Sequence, residues 1–63
     1  MDAKVIAMLR DLPRSALRRI LAGAWIGYRV SDTDHTLRAR VEGYYMGGAI
    51  SADAIIAEWE AAE

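Results

Sequence analysis

Residues 14–28 read Arg14-Ser15-Ala16-Leu17-Arg18-Arg19-Ile20-Leu21-Ala22-Gly23-Ala24-Trp25-Ile26-Gly27-Tyr28, and this stretch decides the fold class. Leu17, Ile20, Leu21, Ala24 and Tyr28 recur at helical spacing and form one apolar stripe. β-branched residues are few, which disfavours a strand. The spacing predicts a helix from about Arg14 to Tyr28, with Trp25-Ile26-Gly27-Tyr28-Arg29-Val30 as the place where the chain can become extended.

Upstream, Val5, Met8, Leu9 and Leu12 fall at i, i+3, i+4 and i+7, with Asp2 as the expected N-cap. Pro13 stops that helix, because the residue before proline is pushed out of the helical region. Downstream, Ser31-Asp32-Thr33-Asp34 is a cluster of cap and turn formers that puts an acid at the start of a third helix. Leu37, Val41, Tyr44 and Tyr45 give that helix one face, and Asp34 and Arg38 stand in the favourable acid-first i, i+4 order. Gly47-Gly48 is its expected C-cap pair. Ser51 then caps a fourth helix, with Ile50 and Ile55 spaced as a hydrophobic staple. Ala52, Ile55, Ile56 and Trp59 supply its buried face. The expected fold is all-α: one domain over 1–63, a small compact bundle of three to four short helices.

Sixty-three residues without cysteine cannot be stapled by disulfides. A chain this short buries only ~60% of its unfolded surface. Its 54% hydrophobic and 27% charged content is nonetheless that of a folding chain. The longest apolar run, Ile20 to Tyr28, is half of the ~20 residues a membrane span needs. Met1-Asp2-Ala3-Lys4 lacks the basic start and apolar middle of a signal peptide. The expectation is a cytoplasmic protein with no membrane partner.

Nothing in the chain has the pattern of a catalytic centre. His35 stands alone among Asp32, Asp34 and Thr36, and a lone imidazole beside carboxylates is a weak metal site. Adjacent Asp34 and His35 would point apart on a helix. Ser31, Asp34 and His35 do not converge as a triad must, and no phosphate loop or dinucleotide motif is present. The expectation is therefore no enzyme, no cofactor and no metal.

The surface carries more information. Net charge is −1, but it is unevenly spread. Residues 1–31 hold six cations, Lys4, Arg10, Arg14, Arg18, Arg19 and Arg29, against Asp2 and Asp11, a net +4. Residues 32–63 hold Arg38 and Arg40 against seven acids, a net −5. Either the two halves pack on each other or one of them docks a partner. On a helical wheel Trp25 falls between the directions of Arg14, Arg18 and Arg29, and Ile26 points further round beside Arg19. One reading covers Trp25 with the first or fourth helix and lets the arginines snorkel around it. The other makes Arg14, Arg18, Trp25, Ile26 and Arg29 a recognition patch, since Trp and Arg are enriched at binding hot spots. Gly23 and Gly43 lie inside their helices, where glycine costs ~1 kcal/mol, and suggest close helix packing or a homodimer contact.

The favoured function is a small non-enzymatic regulator, an inhibitor, antagonist or adaptor, that occupies a surface of a larger protein. In size and compactness the chain is similar to the short inhibitors that phages and mobile elements make against host machinery, anti-CRISPR proteins among them. Two alternatives stand beside it. A helix-turn-helix DNA-binding regulator would read with the third helix through Arg38 and Arg40, though Glu42 and the acidic half would repel phosphates. A structural homo-oligomer would join the basic half of one copy to the acidic half of another. Residues 37–60, a helix, a glycine turn, Ile50-Ser51 and a second helix, look like the short helical hairpins (SHOCT-type) appended to bacterial proteins for oligomerisation.

Overall fold

Pro13 divides the N-terminal half into two helices. In the computed structural model, which describes residues 3–62, α1 spans Ala3–Asp11 and α2 spans Arg14–Gly23. The expected cap at Asp2 lies outside the described residues. Pro13 itself is extended, and its carbonyl accepts the first bonds of α2, from the Ala16 and Leu17 N–H groups. After a loop, α3 spans Asp34–Met46 and α4 spans Ala52–Ala62. All regular structure among the described residues is helical, which bears out the all-α bundle. No helix among them is long and apolar enough to cross a membrane.

Both α1 and α2 pack against α3 and α4. The core between them consists of Val5, Leu9 and Leu12, then Ala16, Leu17, Ile20 and Leu21, then Leu37 and Val41, and finally Ile50 and Ile55. Every one was on an expected apolar face or staple except Ala16. Met8, Tyr45, Ala52, Ile56 and Trp59 are half-buried around it.

The caps explain where the last two helices begin. The Thr36 N–H donates to Thr33 Oγ1 at 3.2 Å, opening α3 inside the predicted turn cluster. The Ala54 N–H donates to Ser51 Oγ at 3.3 Å, and Ile50 and Ile55 on either side of that cap are both buried, as a staple requires. Gly47 ends α3, and Gly48 takes the left-handed conformation at φ 88°. The Ala49 N–H then reaches back to the Tyr44 carbonyl at 2.9 Å, and the Gly48 N–H to the Tyr45 carbonyl at 3.2 Å.

Four expectations need correction. Helix α2 stops at Gly23 rather than running to Tyr28, so Tyr28 leaves the apolar stripe and is exposed. Tyr44 is likewise exposed at 43%, because only Leu37, Val41 and Tyr45 of the α3 face turn to the core. Asp34 and Arg38 do not form the i, i+4 pair. Asp34 pairs with Arg14, while Arg38 donates to the Leu9 and Leu12 carbonyls at 3.3 and 2.9 Å. A cation at the C-terminal end of α1 binds carbonyls that lack an i+4 donor, Leu9 otherwise accepting only the Leu12 N–H at 3.3 Å, a stronger use than an exposed ion pair. Finally, a Cβ at Gly23 or at Gly43 would meet nothing within 4 Å. Neither glycine is required for close helix packing within the chain.

Candidate functional site

The turn that ends α2 holds the least expected residue of the fold. Trp25 has φ 60°, the left-handed conformation that side-chain-bearing residues avoid. Its N–H donates to the Ala22 carbonyl at 3.1 Å, and the Ile26 N–H donates to the Leu21 carbonyl at 2.9 Å. This pair of bonds defines a Schellman ending, whose left-handed position is usually glycine. The left-handed conformation costs a residue with a Cβ about 1–2 kcal/mol. Trp25 receives no packing in return, since it is 96% exposed.

Chain reversal at Trp25 sends its neighbour the other way. Ile26 is half-buried and packs against the core. Of the two apolar members of the expected patch, the turn therefore buries part of Ile26 and exposes the tryptophan.

Around Trp25 lies an open cleft of about 710 Å³, lined by Trp25, Ile26, Gly27, Tyr28, Arg29, Arg40 and Tyr44. Three aromatic rings, all exposed, therefore meet two arginines at one place. The segment that builds it, residues 24–33, has no regular structure and is held by side chains. Arg18 Nη2 donates to the Val30 carbonyl at 2.9 Å, and the guanidinium lies 5.9 Å from the centre of the Tyr28 ring. Arg18 Nε is buried without a hydrogen-bond partner among the described residues. Arg40 Nη1 bridges the Gly27 carbonyl, at 3.3 Å, and Asp32 Oδ2, at 3.1 Å. The Arg29 N–H donates to the same Asp32 oxygen at 2.9 Å. That backbone bond, reinforced by Arg40, holds the Asp32 carboxyl below its ordinary pKa. Arg14 lowers Asp34 in the same way at the start of α3.

The structure brings together only part of the residues singled out from sequence. Trp25, Ile26 and Arg29 share the cleft. Arg14 does not, since α2 spans about 15 Å and sets Arg14 at its opposite end, paired with Asp34. Arg18 supports the cleft from behind, tied to Val30 and Tyr28. The wheel had aligned these residues by angle and ignored their separation along the axis. Tyr28, Tyr44 and Arg40 were missed as site residues. The recurrence of glycine at Gly23 and Gly27 was the signal that α2 could end early.

The charge asymmetry is used in part within the chain. Arg14 with Asp34 and Arg19 with Glu58 each join the basic half to the acidic half. Glu58 raises the pKa of Arg19 through that bond. The guanidinium of Arg29 makes no hydrogen bond or ion pair among the described residues. Arg38 and Arg40, the cations a helix-turn-helix would send to DNA, are turned to the chain's own carbonyls and Asp32. Among the described residues no group of three or more His, Cys, Asp or Glu side chains could hold a metal ion.

No protein-family model, curated protein or solved structure matches the chain.

Proposed function

We propose that this chain is a small non-enzymatic protein-binding regulator, of the inhibitor or adaptor kind, that acts by occupying a surface of a larger protein with the turn after α2. The observation that supports this most is Trp25, fully exposed in a conformation that costs stability and that glycine would adopt freely. Strained residues persist where the strained geometry serves a site. Exposed tryptophan beside arginine has the composition of a binding hot spot. The cytoplasm is the compartment that fits this reading. DNA reading through α3 draws no support from Arg38 and Arg40, both of which are committed internally.

The test compares the wild-type chain with Trp25→Gly, which keeps the turn. Both are immobilised and exposed to lysate of the encoding organism, and retained proteins are quantified side by side. A stoichiometric protein held by the wild type and lost with Trp25→Gly is the expected result. Equal retention by both would overturn the assignment of the surface.

A further inference from the structure

The cleft around Trp25 also indicates what kind of surface it takes, an inference that rests on the protein-binding reading above. No carboxylate lines it. The nearest acid with a defined role, Asp32, is already bound by the Arg29 N–H and by Arg40. Arg29 has no such counter-ion in hydrogen-bond contact. Arg29 and Arg40 thus stand at the edge of a cleft whose other walls are Trp25, Tyr28, Tyr44 and Ile26. Its volume, about 710 Å³, accommodates a few side chains rather than a whole helix packed along its length.

Charge narrows the occupant. A second copy docked face to face would bring another such cleft, which has no carboxylate in its lining, and so would leave Arg29 without a counter-ion. A single-stranded nucleic acid could stack on the aromatics, but its affinity rests largely on neutralised phosphates, and of the cleft's two cations Arg40 is already paired with Asp32. An anionic membrane is read by clusters of about 4–8 Lys or Arg, and this chain carries a net charge of −1. A protein segment needs only one carboxylate for Arg29 and one apolar side chain for the rings. We infer that the cleft between Trp25, Tyr28 and Tyr44 docks an acidic-apolar protein segment, with an aliphatic or aromatic side chain between the rings and an adjacent Asp or Glu on Arg29.

The experiment uses an array of short peptides pairing Glu with Leu or Phe, and the same peptides with Lys in place of Glu. An oligothymidylate and phosphatidylserine vesicles are run in parallel. Wild-type protein, Arg29→Glu and Trp25→Gly are compared, each first checked for helical circular dichroism. Both substitutions fall on exposed positions, so the fold survives them. The expected result is preference for the Glu peptides by tenfold or more, reversed toward the Lys peptides by Arg29→Glu and lost for both sets with Trp25→Gly. Equal retention of Glu and Lys peptides, dependent on Trp25, would overturn the acidic partner while leaving protein binding in place. Retention of the oligonucleotide or the vesicles alone, or of no probe at all, would overturn both readings.

Discussion

Trp25 and Gly48 occupy the same position in two copies of the same helix ending. Each is the left-handed residue, at φ 60° and 88°, after a helix whose last carbonyls accept the same two backbone bonds. Leu21 and Ala22 accept at the end of α2 as Tyr44 and Tyr45 do at the end of α3. One ending uses the residue that fits without strain. The other uses the largest side chain in the chain's alphabet and leaves it in solvent.

Trp25→Gly is expected to stabilise the domain. Relief of the left-handed strain, about 1–2 kcal/mol, outweighs the ~0.5–1 kcal/mol of added unfolded-state freedom. A net gain of about 0.5–1 kcal/mol raises the melting temperature by roughly 2–8 °C in a domain of this size. Gly48→Ala should shift it the opposite way by a similar amount. Thermal unfolding followed by circular dichroism decides it, and a lower midpoint for Trp25→Gly would show that the indole contributes to folding.

Ile55→Ala should cost more than Trp59→Ala, although tryptophan is the larger residue. Ile55 is fully buried, so truncation leaves a cavity worth about 2–5 kcal/mol. Trp59 is only half-buried at the edge of the core, and its loss should cost about 1–2 kcal/mol. A chain of 63 residues has roughly 3–9 kcal/mol in total, so Ile55→Ala can leave much of it unfolded. Urea midpoints of the two variants give the order.

Arg38→Met should lower the urea midpoint without changing the slope of the transition. The methionine keeps the apolar stem but leaves the Leu12 carbonyl at the end of α1 without its donor and the Leu9 carbonyl with the Leu12 N–H alone. Loss of a charged donor to partly buried carbonyls is worth about 1–2 kcal/mol. Arg10→Met, in the last turn of α1 and without a side-chain hydrogen bond among the described residues, is the control and should lower the midpoint by less, at most about 0.3–1 kcal/mol.

Acid should loosen the loop that carries Trp25. Asp32 and Asp34 have folded-state pKa values below the ordinary carboxylate value, through Arg29 and Arg40 in one case and Arg14 in the other. Their stabilisation is therefore complete above the unfolded value of about 3.9 and is lost as pH falls through the lowered folded values. Unfolding midpoints should be flat from near neutral to about pH 5 and fall below about pH 4. Asp32→Asn should lower the midpoint at neutral pH and flatten the acid limb. A midpoint unchanged by Asp32→Asn at every pH would show that the bonds to Asp32 do not hold the loop and that Arg18, the Arg40–Gly27 bond and Ile26 do.

Reversal of Arg18 is a poor probe of binding for a related reason. Arg18 looks from sequence like an exposed member of the basic edge, yet it holds the Val30 carbonyl and covers Tyr28. Arg18→Glu is expected to release residues 28–33 and so to weaken binding indirectly. Arg29, whose guanidinium makes no hydrogen bond among the described residues and reaches Asp32 only through its charge, is the residue whose reversal reads recognition.

Local chemistry determined most of this fold from the sequence. Pro13 forbids continuation of α1, Thr33 and Ser51 offer side-chain acceptors to new helices, and Gly47-Gly48 permits the left-handed turn. The apolar spacing of Leu17, Ile20, Leu21, Leu37, Val41 and Ile55 then dictates which faces meet. These signals act within one turn of helix, so the chain states them directly. The end of α2 was decided by tertiary structure. The period from Leu17 to Tyr28 is compatible with a longer helix, and no local rule puts tryptophan at a left-handed position. Residues distant in sequence tie down the segment instead: Arg18 holds Val30, Arg40 bridges Gly27 and Asp32, and Ile26 gains burial on the core. Those long-range bonds and that burial outweigh the strain at Trp25, and they alone bring Tyr28 and Tyr44 beside it.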